Sequence, residues 1–292
     1  MRIALLTSAE LPDGIPGNRL LQDELRRRGV DADFVVWEHT SGAQLVDDGV
    51  VAAVVTSTWD YFEKLPAFLT FVDDVAAAGV RLLNSADVIR WNSNKRYLQQ
   101  LIDAGASVLP TVFVDDGRSL DDVAAAHNWR GRLVQKPVVS AGAFETFVVD
   151  EDDPRRATPL PAGTMVQPFF EEVLSGELSV LVFGGELSHV VQKTPKAGDF
   201  RVQSDFGGVT TEVRVDDAVL QTALDVLDCL PHTTCGIRVD DLAYARIDGL
   251  VVDGVFQLME LELIEPERFL DVVDDAAQKQ ADALLRLFDT ST

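Results

Sequence analysis

Residues 244–263 have the sequence YARIDGLVVDGVFQLMELEL, which carries the strongest structural signal in the chain. Asp253-Gly254 is a dipeptide typical of a tight hairpin turn. The segments on either side, Ala243–Asp248 and Val255–Leu263, are therefore predicted to pair as antiparallel strands. Residues i and i+2 of a strand share one face, so Glu260 and Glu262 lie side by side among apolar neighbours.

Two adjacent carboxylates on an otherwise apolar strand repel each other unless a cation or a proton lies between them. Asp248, at the end of the preceding strand, adds a third carboxylate. Mg²⁺ takes hard oxygen ligands and shares them with substrate phosphates, so Asp248, Glu260 and Glu262 are candidate metal ligands. A solvated strand face is the alternative that spacing alone leaves open.

Upstream of this hairpin, the first part of the chain alternates strand-like and helix-like segments. Strands are predicted at Ile3–Thr7, Phe34–Trp37, Val50–Thr56 and Arg81–Asn84, separated by helical segments that stop at Gly29 and Gly79. Such alternation predicts a small parallel sheet that is covered on both faces. We therefore predict an N-terminal α/β domain over residues 1–90 and a second domain over residues 91–292.

The second domain mixes helices with antiparallel strands. A hairpin is predicted around Gly184-Gly185, with strands Leu178–Phe183 and Glu186–Gln192. Further strands are predicted at Thr111–Val114 and Arg132–Pro137, and helices at Asn94–Ala104, Ser119–His127, Asp216–Leu230 and Pro266–Phe288.

Composition excludes several classes of partner. The net charge of −23 over 292 residues repels phosphate backbones and anionic lipids, so neither a nucleic acid nor a membrane is expected as a partner. Cys229 and Cys235 are the only cysteines, too few for a disulfide scaffold. No apolar stretch approaches the ~20 residues that a membrane helix needs, and a cytoplasmic protein is expected.

Common nucleotide-binding signatures are absent, since the chain has neither a Walker-type loop nor a G-x-G-x-x-G turn after the first strand. Lysines are scarce, which makes the context of two of them informative. Lys95 opens a helix, and Lys136 ends a strand beside the small-residue turn at Ser140–Ala143. Lysines in such places can meet a nucleotide phosphate, and ordinary surface lysines are the alternative.

Taken in order, these features and several further motifs resemble the ATP-grasp superfamily, of the glutathione-synthetase and ribosomal-protein-glutamate-ligase type. The resemblance extends from about Ile3 to Asp271. The matching motifs are Asn94-Lys95-Arg96 through Leu109-Pro110-Thr111, Val134–Pro137, Ser140–Phe147, Val166–Phe170, Ser175-Gly176-Glu177, Lys193-Thr194-Pro195, Gly198–Arg201, Tyr244–Asp248 and Met259–Glu262. The phosphate loop has fewer glycines than is usual in the family, and Glu262 stands where asparagine is common.

The resemblance implies an α/β protein with an ATP-grasp fold. A small N-terminal parallel-sheet domain would precede two α+β subdomains that clamp ATP, the smaller and mobile one at about 111–173 and the other carrying the substrate and metal sites. ATP and Mg²⁺ are the implied cofactors. The resemblance implies that ATP is bound by Lys95 and Lys136 at the phosphates, by Gln167, Phe169 and Phe170 at the adenine, and by Glu177 near the ribose. It implies Asp248, Glu260 and Glu262 as metal ligands. Arg201, Arg246 and Lys193 are the implied catalytic residues, with Arg201 facing the transferred phosphate.

The implied activity is that of a carbon–nitrogen ligase, which activates a carboxylate as an acyl phosphate for attack by nitrogen and releases ADP. Within the superfamily, the chain resembles the O-ureido-serine cyclo-ligases of cycloserine biosynthesis. The features that carry this likeness are the small size, the loop at Lys193–Arg201 and the segment Glu260–Pro266. That likeness implies intramolecular attack by the substrate's own ureido nitrogen. An intermolecular amino-acid or dipeptide ligase and an inactive nucleotide-binding scaffold stay open. The expected partner is a small amino-acid-like molecule, and a homo-oligomer also stays open.

Overall fold

Three β-sheets organise the structure, a computed structural model that describes residues 1–202 and 206–289. The helices are α1 (Pro16–Arg27), α2 (Gly42–Asp47), α3 (Leu65–Ala77), α4 (Ala86–Asn92), α5 (Tyr97–Asp103), α6 (Leu120–His127), α7 (Asp217–Asp228) and α8 (Ala276–Asp289). The strands are β1 (Arg2–Thr7), β2 (Asp31–Val36), β3 (Val50–Ser57), β4 (Arg81–Leu83), β5 (Val112–Val114), β6 (Leu133–Pro137), β7 (Phe147–Val149), β8 (Thr164–Pro168), β9 (Glu177–Phe183), β10 (Glu186–Thr194), β11 (Val209–Glu212), β12 (Tyr244–Val252) and β13 (Val255–Glu262). Among the residues described, none of the helices is both long and apolar enough to cross a lipid bilayer.

The N-terminal sheet has the order β2-β1-β3-β4, and all of its strand pairs are parallel. Alternate residues of β1 point to opposite faces: Ile3 and Leu5 join the core that includes α1, whereas Ala4 and Leu6 join the core that includes α3. The prediction of a small parallel sheet covered on both faces is confirmed.

The other two sheets are antiparallel. One has the order β5-β8-β6-β7, and the other has the order β11-β10-β9-β12-β13. The predicted β12–β13 hairpin is present, with Asp253 and Gly254 at φ values of 51° and 80° in its turn. Its register sets Asp248 opposite Glu260, which brings the predicted site residues of the two strands together.

Buried polar side chains join the N-terminal sheet to the five-stranded sheet. The Tyr244 hydroxyl lies 2.8 Å from the carbonyl oxygen of Ile264 and 3.0 Å from that of Leu83. The Asn84 amide donates to the carbonyl oxygens of Tyr244 and Leu263, and its oxygen accepts from the Ala243 N–H. Because these bonds are specific in direction, they fix how the ends of β3 and β4 face β12 and β13.

Two helix predictions were wrong at their boundaries. The helix predicted over Pro266–Phe288 begins only at Ala276, because the preceding residues bend around the core and Phe269 has a positive φ of 50°. The helix predicted over Asn94–Ala104 begins at Tyr97, and α4 precedes it without having been predicted. The domain boundary near residue 90 stays a prediction.

His189 on β10 provides a test of stability against pH. Its Nε2 lies 3.1 Å from the carbonyl oxygen of Arg268, and burial lowers the pKa of the imidazole to about 4. An unfolded histidine has a pKa of about 6.5, so the unfolded state takes up its proton first as the pH falls. The stabilisation from neutral His189 is thus complete above pH ~6.5 and is lost as the pH falls towards ~4.

Between pH 7 and pH 5, we therefore expect the unfolding free energy of His189→Gln to fall by about 2 kcal/mol less than that of wild type. The measurement is urea unfolding of wild type and variant at both pH values. His127→Gln is the control, since the His127 side chain is exposed. The same decline in all three proteins would contradict the role of His189.

Candidate functional site

A cavity of ≈ 1090 Å³ lies where the three sheets meet. Its walls come from the loop after β3, from β6 and β8, and from β9, β10, β12 and β13. All the predicted site residues line it: Lys95, Lys136, Gln167, Phe169, Phe170, Glu177, Lys193, Arg201, Arg246, Asp248, Glu260 and Glu262. The structure thus brings the predicted set together, while the role of each residue stays a prediction.

One end of the cavity is apolar. Phe169 and Phe170 pack there with Leu250 and Met259 in a single cluster. Gln167 is buried, and its amide donates to the Thr111 hydroxyl at 2.8 Å, so the side chain holds the strand ends together. A slot lined by aromatic and aliphatic side chains suits a flat ring.

Two lysines lie beside each other at the middle of the cavity. Lys95 is buried, donates to the carbonyl oxygen of Ser140 at 2.5 Å and lies 2.9 Å from Glu260 Oε1. Lys136 forms no ion pair with any of the residues described, and burial lowers the pKa of its ammonium although Glu260 opposes this. An unpaired cation that faces a cavity is suited to an anionic ligand.

A buried charge network lies next to these lysines. Lys193 Nζ lies 2.5 Å from Glu177 Oε1 and 3.3 Å from Asp248 Oδ2. Arg246 contacts Asp248 through Nη2 at 2.8 Å and Nε at 3.0 Å. Burial raises the pKa of Asp248, but Arg246 and Lys193 outweigh it and bring that pKa to about 2. Asp248 is therefore ionised, and Glu177, predicted to lie near the ribose, is paired with Lys193.

The three candidate metal ligands do not form a cage of their own. Within residues 1–202 and 206–289, no three His, Cys, Asp or Glu side chains converge to hold an ion. Both oxygens of Asp248 are engaged, by Ser179, Arg246 and Lys193. Glu260 and Glu262 keep 26% and 27% of their side chains exposed towards the cavity. Such a donor set fits an ion that takes its other ligands from phosphate and water, as Mg²⁺ does.

Glu262 is the one of these three carboxylates whose pKa lies above its usual range. It contacts Arg246, yet burial raises its pKa to about 7. Arg246 therefore lies between two carboxylates, one firmly ionised and one close to its titration point at neutral pH.

Arg201 lies apart from this network, on the loop that precedes β11. Its guanidinium contacts Asp199, with Nη2 2.7 Å from Oδ2, and lies 3.7 Å above the centroid of the Phe206 ring. The contact with Arg201 holds the pKa of Asp199 well below its usual range. The predicted approach of Arg201 to a phosphate stays a prediction.

The sequence analysis missed the N-terminal wall of the cavity. Trp59, Tyr61 and Phe62 follow β3, and the Phe62 ring lies 5.1 Å from that of Phe144 in the loop that follows β6. Trp59 Nε1 donates to the carbonyl oxygen of Glu265 at 3.1 Å. The available signal was topological, because ligands of open α/β sheets bind beyond the carboxyl ends of parallel strands.

Comparisons with known families match the two parts of the chain separately. Residues 91–267 match the RimK-like ATP-grasp domain, and residues 3–84 match the N-terminal domain of D-cycloserine synthetase DcsG. The chain is 30% identical over 314 aligned positions to the cycloserine biosynthesis protein DcsG of Streptomyces lavendulae, with 97% of each chain covered. It is 32% identical to a glutathione synthetase of Prochlorococcus marinus, over 37% of this chain and 32% of the relative.

Solved structures agree with these matches. The crystal structure of D-cycloserine synthetase DcsG superposes with a TM-score of 0.82 at 26% identity, covering 98% of this chain and 100% of the other. D-alanine–D-alanine ligase from Bacillus anthracis superposes with a TM-score of 0.68 at 13% identity, covering 100% of this chain and 97% of the other. The second likeness concerns the fold alone.

Proposed function

The chain belongs to the RimK-like ATP-grasp family of ligases, and we propose that it closes a ring within a single amino-acid-like substrate. The substrate proposed is O-ureido-serine, and the product is cycloserine, as part of antibiotic biosynthesis. The extent of the similarity to DcsG carries this proposal. It includes residues 3–84, which supply Trp59, Tyr61 and Phe62, so it covers the N-terminal wall of the cavity as well as the ATP-grasp domain.

ATP would bind along the cavity from its apolar end to its centre. The adenine would lie by Phe169 and Phe170 and be held by the main chain around Gln167, with Glu177 towards the ribose. The triphosphate would meet Lys95 and Lys136. Among the residues that the structure describes, no carboxylate forms an ion pair with Lys136, which supports this orientation.

Mg²⁺ is the proposed metal, held by Glu260 and Glu262, with Asp248 next to them. When bound, the ion neutralises phosphate charge and holds the triphosphate for in-line transfer. The exposure of Glu260 and Glu262 to the cavity supports their part in this site.

The proposed reaction needs no covalent nucleophile from the protein. A carboxylate oxygen of the substrate attacks the γ-phosphorus of ATP, the bond to the bridging oxygen breaks, and ADP leaves an acyl phosphate behind. The ureido nitrogen then adds to the carbonyl carbon and loses its proton as inorganic phosphate departs. Water finally attacks the carbamoyl carbon, the bond to the ring nitrogen breaks, that nitrogen takes up a proton, and the carbamoyl group leaves as carbamate, which decomposes to carbon dioxide and ammonia. Arg246 and Lys193 would supply positive charge beside the carboxylate, and Arg201 would meet the phosphoryl group.

The test is incubation with ATP, Mg²⁺ and O-ureido-serine. ADP, phosphate and a five-membered ring product are expected without any other amine. Turnover only after addition of a second amine would identify an intermolecular amino-acid or dipeptide ligase, which the partial match to glutathione synthetases favours. Failure to consume ATP with any amino acid would point to a nucleotide-binding scaffold.

Lys136→Ala is expected to weaken ATP binding by on the order of 10-fold or more, because a cation that serves only the ligand is removed. The melting temperature should fall little, since Lys136 forms no ion pair within the described chain. Calorimetric titration with ATP measures the effect, and Lys64→Ala, an exposed lysine paired with Glu38 away from the cavity, is the control. An unchanged dissociation constant would remove Lys136 from the phosphate site.

A further inference from the structure

Glu265 differs from the carboxylates already described in the cavity. Glu265 lies three positions after the end of β13, is only 7% exposed and lines the cavity. Glu177, Asp248, Glu260 and Glu262 each contact a lysine or an arginine. Within the described residues, no basic side chain forms an ion pair with Glu265. Burial raises the pKa of the Glu265 carboxyl well above its usual range, because no ion pair with the residues described offsets the cost of ionising it there. A cation bound in the cavity beside it would supply that missing partner, so the position of Glu265 indicates a cationic ligand.

The position of Glu265 is fixed by contacts on both sides. Its carbonyl oxygen accepts from Trp59 Nε1 at 3.1 Å, which ties it to the N-terminal wall. Two residues further on, the carbonyl oxygen of Glu267 accepts from Arg246 Nη1 at 3.1 Å, which ties the same segment to the charge network. The backbone from Glu265 to Glu267 therefore runs from the aromatic wall to Arg246.

This placement matches the geometry of an α-amino acid. Its ammonium and carboxylate groups are bonded to the same carbon, so a receptor for the ammonium has to lie next to the groups that hold the carboxylate. We propose that Glu265 binds the α-ammonium group of the substrate while Arg246 holds the carboxylate to be activated. The inference rests on the proposed function and narrows its substrates to amino acids with a free α-ammonium group.

One consequence concerns the nitrogen that attacks the acyl phosphate. An ammonium group held by a carboxylate keeps its proton and has no lone pair to donate. The attacking nitrogen must then be a different one, either elsewhere in the substrate, as ring closure by the ureido nitrogen requires, or in a second molecule.

The test compares two substrates in Glu265→Gln and in wild type. One is O-ureido-serine, and the other is 3-(ureidooxy)propanoate, the same molecule without its ammonium group. Wild type is expected to prefer O-ureido-serine by on the order of 10²-fold in kcat/KM. In Glu265→Gln the ratio should fall close to one, through loss of activity on O-ureido-serine alone. Its melting temperature should change little, because the amide keeps the shape of the side chain and Glu265 forms no ion pair within the described residues.

Asp271→Asn is the matched control, because it removes the same charge from an exposed residue at the rim of the same cavity. It should leave the preference for the ammonium-bearing substrate intact. An unchanged ratio in Glu265→Gln, or equal losses on both substrates, would overturn the inference. If wild type forms ADP with neither compound, the proposed ring closure itself is contradicted, and the assignment of Glu265, which rests on it, is overturned as well.

Discussion

Glu260→Gln is expected to lower turnover by on the order of 10³-fold, the scale on which loss of one charge-stabilising group reduces kcat. The amide keeps the shape of the side chain but removes a charge that Mg²⁺ requires from its ligands. It also removes the partner of Lys95, which lies 2.9 Å from Glu260 Oε1. The site becomes more positive as a result, so ATP without metal should bind at least as tightly as in wild type.

The two effects are separated by measuring ATP affinity with and without Mg²⁺. Mg²⁺ should tighten ATP binding in wild type and have little effect in Glu260→Gln. Glu186→Gln is the control, because Glu186 is an exposed glutamate paired with Arg286 away from the cavity. Normal turnover of Glu260→Gln at ordinary Mg²⁺ concentrations would show that Glu260 is only a strand residue paired with Lys95.

Local sequence signals were sufficient where the interacting segments are neighbours in the chain. Asp253 and Gly254 both adopt the positive φ that the hairpin turn needs, and the period of two in β13 puts Glu260 and Glu262 on one face. The family resemblance then predicted that residues from strands far apart in the sequence form one site. All of them line one cavity, which no single motif could have established.

The ion pair between Lys193 and Asp248 inside that site could not be predicted, because it joins strands that are not neighbours in the sequence. Lys193 and Asp248 are 55 positions apart and meet only because β9 lies between β10 and β12. The burial of Glu265 likewise depends on the N-terminal sheet, which Tyr244 and Asn84 hold against the five-stranded sheet. The prediction of a helix from Pro266 was wrong over residues 266–275, where the chain is irregular and the Glu267 carbonyl oxygen accepts from Arg246.

Arg201→Lys is expected to lower turnover by on the order of 10²-fold while ATP affinity and melting temperature change little. The Arg201 guanidinium contacts Asp199 through Nε and Nη2 and its Cζ lies 3.7 Å from the centroid of the Phe206 ring, so its orientation is held from two sides. A planar guanidinium can meet two oxygens of a phosphoryl group at once, whereas a lysine ammonium offers a single point charge. The substitution therefore keeps the positive charge and removes the planar arrangement of donors that can meet two oxygens.

Arg155→Lys provides a control with the same local arrangement. Arg155 also contacts the aspartate two positions before it, Asp153, through Nε and Nη2, and its side chain is 65% exposed outside the cavity. If a contact of this kind only stabilises its own loop, the two variants should behave alike, since exposed ion pairs contribute little. A loss of turnover confined to Arg201→Lys, with kcat reduced and the dissociation constant of ATP unchanged, would assign the guanidinium to the phosphoryl group. Normal turnover would make Arg201 an ordinary surface ion pair.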